Sequence, residues 1–245
     1  MKTITKLTFA FLAMMLTFTA CRKNDDDQPD NRPKKLKALV ITNNDGTQSV
    51  FNYKYDTEGR LTEISLENPY IVAFAFTYKT DGRVEKIRYS YDLGPFTDFT
   101  YSYSGDSNIP DRLKFSGKVP TYTSDVIYTN NTIFYNDEDG NEYAIEGVDV
   151  ANNSFGSILY DNITYTPHFN RQLKNGLETQ SAINIPLSMT SSCFVTLQGA
   201  GLPLNSQVIT GMENSNGYQS VWQFETDAAG YITKVKNGAA EFLYQ

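Results

Sequence analysis

From Leu36 onward, apolar and polar residues alternate with a period of two. Phe51, Tyr53 and Tyr55 fall on one face, as do Phe74, Phe76 and Tyr78, and then Phe99, Tyr101 and Tyr103. Near the C-terminus Tyr218, Trp222 and Phe224 follow the same rule. Successive side chains of a strand leave opposite faces, so aromatic residues at alternate positions between Asp/Asn/Gly clusters predict half-buried strands. The punctuation itself repeats. Tyr55-Asp56-Thr57-Glu58-Gly59-Arg60-Leu61 is matched by Tyr78-Lys79-Thr80-Asp81-Gly82-Arg83-Val84, and again by Phe224-Glu225-Thr226-Asp227-Ala228-Ala229-Gly230-Tyr231-Ile232. Gly105 and Gly140 mark weaker turns. Each unit predicts a β-hairpin whose Gly59, Gly82 or Gly230 sits at positive φ. Isolated hairpins are marginal, so stacked neighbours must supply the core. The apolar pairs Leu61/Ile64, Val84/Ile87 and Ile232/Val235 are three residues apart, which breaks strict alternation. Either a bulge or burial on both faces accounts for that offset.

Between Gly147 and Gly217 the repeat is lost. Phe169, Leu173 and Leu177 have helical spacing and predict a short helix after Tyr165-Thr166-Pro167-His168. Leu187, Met189, Cys193, Val195 and Leu197 alternate and predict one more strand over 189–197, with Cys193 a buried, inert thiol. The hairpin returns at 221–235, so a single β domain over 36–245 with an irregular insertion near 148–217 is expected. Its last strands should pair back near its first.

The start of the chain has a different pattern. Lys2 and Lys6 precede an apolar run from Leu7 to Ala20, too short for the ~20 residues that a spanning helix needs. Residues 1–20 read as a secretory signal peptide. Leu16-Thr17-Phe18-Thr19-Ala20-Cys21 resembles a bacterial lipobox, which implies that Cys21 is the site of lipid attachment, with cleavage just before it. The product would be anchored to a membrane rather than spanning it. Residues 21–35 then form a polar, Pro-containing flexible tether. Within it, Lys23 followed by Asp25-Asp26-Asp27 resembles the export signal of Bacteroidetes surface lipoproteins, implying an outer-membrane lipoprotein exposed at the cell surface; a periplasm-facing anchor is the alternative.

Composition removes several functions. The chain has 21 Lys+Arg against 28 Asp+Glu; loss of Lys2 and Lys6 with the leader takes the charge from −7 to −9. Nucleic acid is therefore not an expected partner. Two Cys and one His argue against a disulfide scaffold, a zinc module or His-based catalysis, and no cofactor is expected. With 25 Thr and 21 Asn, the composition suits strands and turns and is poor for helices. Asp137, Asp139, Asn141 and Glu142 offer oxygen ligands but fail the EF-hand order, since its first position would fall on Tyr135. They read as a solvated turn, and no metal site is assigned. The chain lacks a Gly-x-Ser-x-Gly elbow, and Gly199-Ala200-Gly201 lacks the Lys of a phosphate loop. No catalytic residue is assigned.

The turns Tyr55-Asp56…Gly59-Arg60-Leu61 and Asp81-Gly82-Arg83-Val84 resemble the YD repeats of bacterial cell-surface proteins. The whole layout resembles an uncharacterised family of Bacteroidetes surface lipoproteins, a domain of unknown function with a porin-like fold. That resemblance implies an all-β antiparallel meander, barrel-like or strongly curved, and carries over no catalytic residue. Three function classes follow. A non-catalytic binding module for neutral glycans or peptides predicts a ring-lined groove. A structural or interaction protein of the envelope predicts filled sheet faces. A hydrolase requires converging carboxylates. Whether the face bearing Tyr53, Phe76 and Tyr101 is packed or open discriminates among them.

Cys21→Ala is expected to move the protein out of the membrane fraction, and a variant that still sediments with membranes rejects the anchor. Replacing Asp25, Asp26 and Asp27 by Ala should leave membrane association intact while protecting the protein from protease added to whole cells.

Overall fold

Each of the three repeated Asp/Gly turns is followed by one residue too many. In the computed structural model, which describes residues 33–43, 45–67, 72–91, 96–117, 121–136, 140–190, 206–236 and 240–245, Lys54 lies opposite Glu63 but Tyr55 lies opposite Leu61. The same slip places Thr77 opposite Lys86 but Tyr78 opposite Val84, and Glu225 opposite Lys234 but Thr226 opposite Ile232. The three-residue offset is therefore a β-bulge, and the extra residue turns both apolar partners inward. Leu61, Val84, Ile87 and Ile232 are fully buried, with Ile64 and Val235 nearly so. At the bulge, Thr62 and Thr233 donate their hydroxyls to the carbonyls of Lys54 and Glu225. Gly59, Gly82 and Gly230 have φ of 82°, 85° and 85°, as the shared spacing predicts.

Among the described residues, eighteen strands form two antiparallel sheets. The first contains β1 (Leu36–Thr42), β2 (Gln48–Tyr55), β3 (Leu61–Glu67), β4 (Val72–Tyr78), β5 (Val84–Tyr91), β6 (Thr97–Ser102), β7 (Arg112–Gly117) and β8 (Tyr122–Asp125). β16 (Phe224–Thr226), β17 (Ile232–Val235) and β18 (Ala240–Tyr244) join it, in the order β16-β17-β18-β1 and onward to β8. The last strand thus pairs with the first, as expected; Lys35 and Gln245 exchange both backbone hydrogen bonds. A fourth bulge sits there, with Leu36 opposite Tyr244 but Ala38 opposite Leu243, and again Leu36 and Leu39 both point inward.

The second sheet has the order β15-β14-β13-β12-β11-β10-β9, built from β9 (Ile127–Thr129), β10 (Thr132–Asn136), β11 (Glu142–Glu146), β12 (Ser157–Tyr160), β13 (Ile163–Asn170), β14 (Val208–Asn214) and β15 (Gln219–Val221). Residues 148–217, where the repeat is lost, supply three of these strands. The two ladders do not close into one barrel. They meet at corners where the chain passes from one sheet to the other, through Val126 between β8 and β9 and through Trp222-Gln223 between β15 and β16. Corner strands of this kind let curved sheets share one core.

That core is shut. Tyr53, Phe74, Phe76 and Tyr101 of the first sheet and Ile133, Tyr135, Ile145 and Ile158 of the second belong to one buried cluster. The segment leading from β13, residues 171–190, runs into this cluster as a 3-10 turn (Glu178–Ile183) and a short helix α1 (Asn184–Ser188). Its Leu177, Ile183, Ile185 and Leu187 are fully buried. Tyr101 donates to the carbonyl of Pro186 at 2.7 Å from one sheet, and Tyr135 to that of Met189 at 3.0 Å from the other.

Two expectations are corrected. Phe169 lies in β13, and Leu173 follows it outside any helix; the helix is α1, further along. Three apolar residues at helical spacing do not outweigh the pairing of β13 with strands on both sides. Leu187 and Met189 do not begin a strand but belong to α1 and the turn after it. Pro186 is tolerated because the first turn of a helix has no use for its missing N–H. Cys193 and the rest of that predicted strand lie outside the described residues.

Gly176 has φ of 80°, and a Cβ there would meet the backbone of Leu36 and the ring of Tyr244, whereas a Cβ on Gly82 would meet nothing. Gly82→Ala is expected to cost about 1–2 kcal/mol, from backbone conformation alone. Gly176→Ala should cost about 1–3 kcal/mol more, from displaced backbone. Denaturant midpoints of the two variants check this, and equal losses would contradict the packing of Gly176 against β1.

Candidate functional site

The bulges leave a repeated need at one edge of the first sheet. The carbonyls of Leu36, Leu61, Val84 and Ile232 belong to fully buried residues and each requires a donor. Each finds one in a tyrosine hydroxyl from the end of the next strand. Tyr55 donates to Leu36 at 2.8 Å, Tyr78 to Leu61 at 2.7 Å, Tyr103 to Val84 at 2.8 Å and Tyr244 to Ile232 at 2.6 Å. Burial pushes all four phenols up, so they remain protonated donors. Cations cover several of the rings: Lys35 over Tyr55, Arg60 over Tyr78 and Arg83 over Tyr103.

The turns between these strands are fixed by their own carboxylates. Asp56 accepts from the backbone of Glu58 and Arg60 and from the Arg60 guanidinium; partial burial works against ionisation, but these bonds hold the carboxyl below its usual range. Asp227 behaves alike, its desolvation outweighed by Lys34 at 2.7 Å and by the N–H groups of Tyr231 and Ala229. Lys34 also donates its backbone N–H to the Tyr231 hydroxyl, so the chain comes into the domain at this edge.

Next to the rim lies a cleft of about 370 Å³, lined by Ala151, Asn152, Asn170, Arg171, Leu173, Glu178, Ser181, Ser206 and Gln207. Three loops build it. In the first, Asp149 accepts the backbone and amide hydrogens of Asn152, which fixes the turn carrying Ala151. In the second, Asn170 accepts the N–H of Gln172 and so ends β13 in a tight turn. Glu178 accepts the N–H groups of Asn175 and Gly176 at 2.6 and 3.1 Å, and its charge contributes to the raised pKa of Tyr55 and Tyr244 behind it. The third approach, Ser206-Gln207, is held from below by Asn184. That amide is fully buried: it donates to the Asn153 carbonyl and the Ser206 hydroxyl, both at 2.8 Å, and accepts the Ser206 N–H at 3.1 Å. One side chain of α1 thus ties two walls of the cleft together.

The arrangement offers amide, hydroxyl and charged groups for hydrogen bonding, with Leu173 and Ala151 as its apolar part. Of these residues only Leu173 stood out in the sequence, and then as part of a helical pattern rather than of a site. The aromatic residues that did are elsewhere: Tyr53, Phe76 and Tyr101 are 4%, 5% and 1% exposed, so the face they share is closed to ligands. Trp222 is half-buried at a corner, and Tyr218, expected on the same face, is exposed. His168 lies on β13 with its Nε2 3.7 Å from Glu213. Glu142 opens β11 after Asn141, whereas Asp137 and Asp139 lie outside the described residues, as do Cys21 and Asp25–Asp27.

Neither a family model nor a curated protein sequence matches the chain. Among solved structures it is similar to a crystallised porin-like protein from Bacteroides uniformis, with 15% identity and a TM-score of 0.48, covering 87% of this chain and 98% of that one.

Tyr78→Phe keeps the ring under Arg60 and removes only the donor to the buried Leu61 carbonyl. The expected loss is about 1–3 kcal/mol by chemical denaturation, the usual cost of an orphaned buried acceptor. An unchanged stability would show that the hydroxyl is not needed there.

Proposed function

We propose that this chain is a lipid-anchored outer-membrane protein, facing the cell surface, whose β domain is a non-catalytic binding module for neutral glycans or peptides. The observation that carries the binding role is the amide-lined cleft, set on loops that buried hydrogen bonds hold rigid. Preformed concave sites with a few fixed polar groups are how folded domains take small ligands. Among the described residues its lining contains a single carboxylate, Glu178, where glycoside hydrolysis needs two.

The anchoring role rests on the leader and Cys21, and the outer face of the first sheet supports it. A membrane-spanning barrel turns an apolar band toward lipid. Here the alternation runs the other way, apolar inside and charged outside. Lys54 faces Glu63 at 2.8 Å, Arg88 faces Asp98 at 2.7 Å, Arg112 faces Asp125 at 3.3 Å and Lys234 faces Glu241 at 3.6 Å, each pair directly across neighbouring strands. Such a surface suits water, and an external lipid is then the means of attachment.

A second reading, an interaction protein of the envelope, is favoured by the margins of the second sheet. Ile127 and Tyr128 on β9 and Val221 on β15 are 60%, 42% and 64% exposed.

Calorimetry of the mature chain against neutral oligosaccharides, acidic oligosaccharides and short peptides is the test. Binding of a neutral glycan or peptide that Asn152→Ala and Gln207→Ala weaken about tenfold is the expected result. Product release from any substrate would overturn the non-catalytic reading, and absence of binding would leave the interaction reading.

A further inference from the structure

Resting on that reading, we infer that the cleft is selective for a zwitterionic ligand, an amino acid or short peptide with both termini free, rather than for a sugar. Two of its lining residues, Arg171 and Glu178, carry opposite charges, and neither is held in an ion pair among the described residues. Among the described residues, Arg171 forms no ion pair; Asp149, the carboxylate whose titration it influences, has its two oxygens engaged by Asn152. Glu178 likewise forms no ion pair among the described residues. It is nevertheless fixed in place, because one carboxylate oxygen holds the N–H groups of Asn175 and Gly176. The hydroxyls of Tyr55 and Tyr244, whose titration its charge affects, are already committed to the carbonyls of Leu36 and Ile232. Neither can serve as its donor.

Among the described residues, the other arginines are all paired. Arg60, Arg83, Arg88 and Arg112 each have a carboxylate within 3.3 Å. The cleft therefore holds a guanidinium free to grip a carboxylate and a carboxylate free to accept from an ammonium. The amide oxygen of Asn152 and the amide nitrogen of Asn170, the ends that Asp149 and Gln172 do not engage, belong to the same lining and match a peptide group's donor and acceptor. A sugar, by contrast, is best recognised by an aromatic face, and the described lining contains none.

The experiment is calorimetry of the full mature chain with four probes: glycylglycine, its C-terminal amide, its N-acetyl derivative and a neutral trisaccharide. Glycylglycine should bind, and each blocked form should bind about tenfold to a hundredfold more weakly, the range expected for losing one charge-assisted hydrogen bond. Arg171→Gln should weaken glycylglycine to the same extent and make the protein indifferent to amidation. Glu178→Gln keeps an oxygen for Asn175 and Gly176 and should make it indifferent to acetylation. Equal binding of blocked and free forms, or trisaccharide binding that Arg171→Gln leaves unchanged, would overturn this inference while sparing the binding role. No binding by any probe would sink both, and unaltered denaturation midpoints exclude misfolding as the cause.

Discussion

A bulged strand leaves a carbonyl that its neighbour does not satisfy, and in a filled interior water is not there to satisfy it either. This constraint organises the first sheet. Every bulge that brings two apolar residues of this sheet to the same face creates one such group, and every one is answered by a tyrosine at the end of the next strand. Four hydroxyls do this across eight neighbouring strands. The aromatic excess of the chain is in this sense a matter of hydrogen-bond accounting as much as of packing. A phenylalanine would fill the space and fail the carbonyl, at a cost comparable with a tenth or more of a typical domain's stability.

The same rim positions the cleft. Residues 171–190 must run from β13 back through the core before reaching β14, and a buried chain has to bond all its polar groups. Gln180 does so by donating to the Gly59 carbonyl and accepting from the Leu61 N–H, which ties the segment to a hairpin turn. Asn184 does so by bonding both remaining walls. The need to satisfy a buried segment and the shape of the surface depression above it are thus one problem with one solution. Asn152, Asn170 and Gln207 are held where they are by groups that no ligand would touch.

Strand identity was legible because aromatic residues at alternate positions mean little else, and the turn glycines were legible because Asp, Gly and the following apolar residue kept a fixed offset. The bulge was visible as an anomaly, yet its nature was not: Leu61 and Ile64 three apart fit a bulge or two buried faces until the register is known. The fourth bulge, at Leu36 and Leu39, escaped notice because no turn announces it; its partner strand is β18, more than 200 residues along. The cleft was illegible for a related reason. Asn, Ser and Gln occur throughout the chain, and Asn152, Arg171 and Gln207 become a site only through long-range pairing that brings three loops together. Helical spacing at Phe169, Leu173 and Leu177 misled because three points fit many periods.

The pairing of β1 with β18 sets an order of events. Hairpins from β2 to β8 involve near neighbours and can form as soon as those segments exist. β1 cannot be flanked on both sides until the final residues of the chain arrive, and closing a loop of that length costs roughly 4–5 kcal/mol in chain entropy. A polypeptide that leaves a ribosome or a translocation channel N-terminus first must therefore keep its earliest strand waiting for its latest one. Until then β1 presents an unpaired apolar edge, of the kind that invites association with other chains. The first strand made is the last secured, and holding it unaggregated in the interval is a task for whatever accompanies the emerging chain.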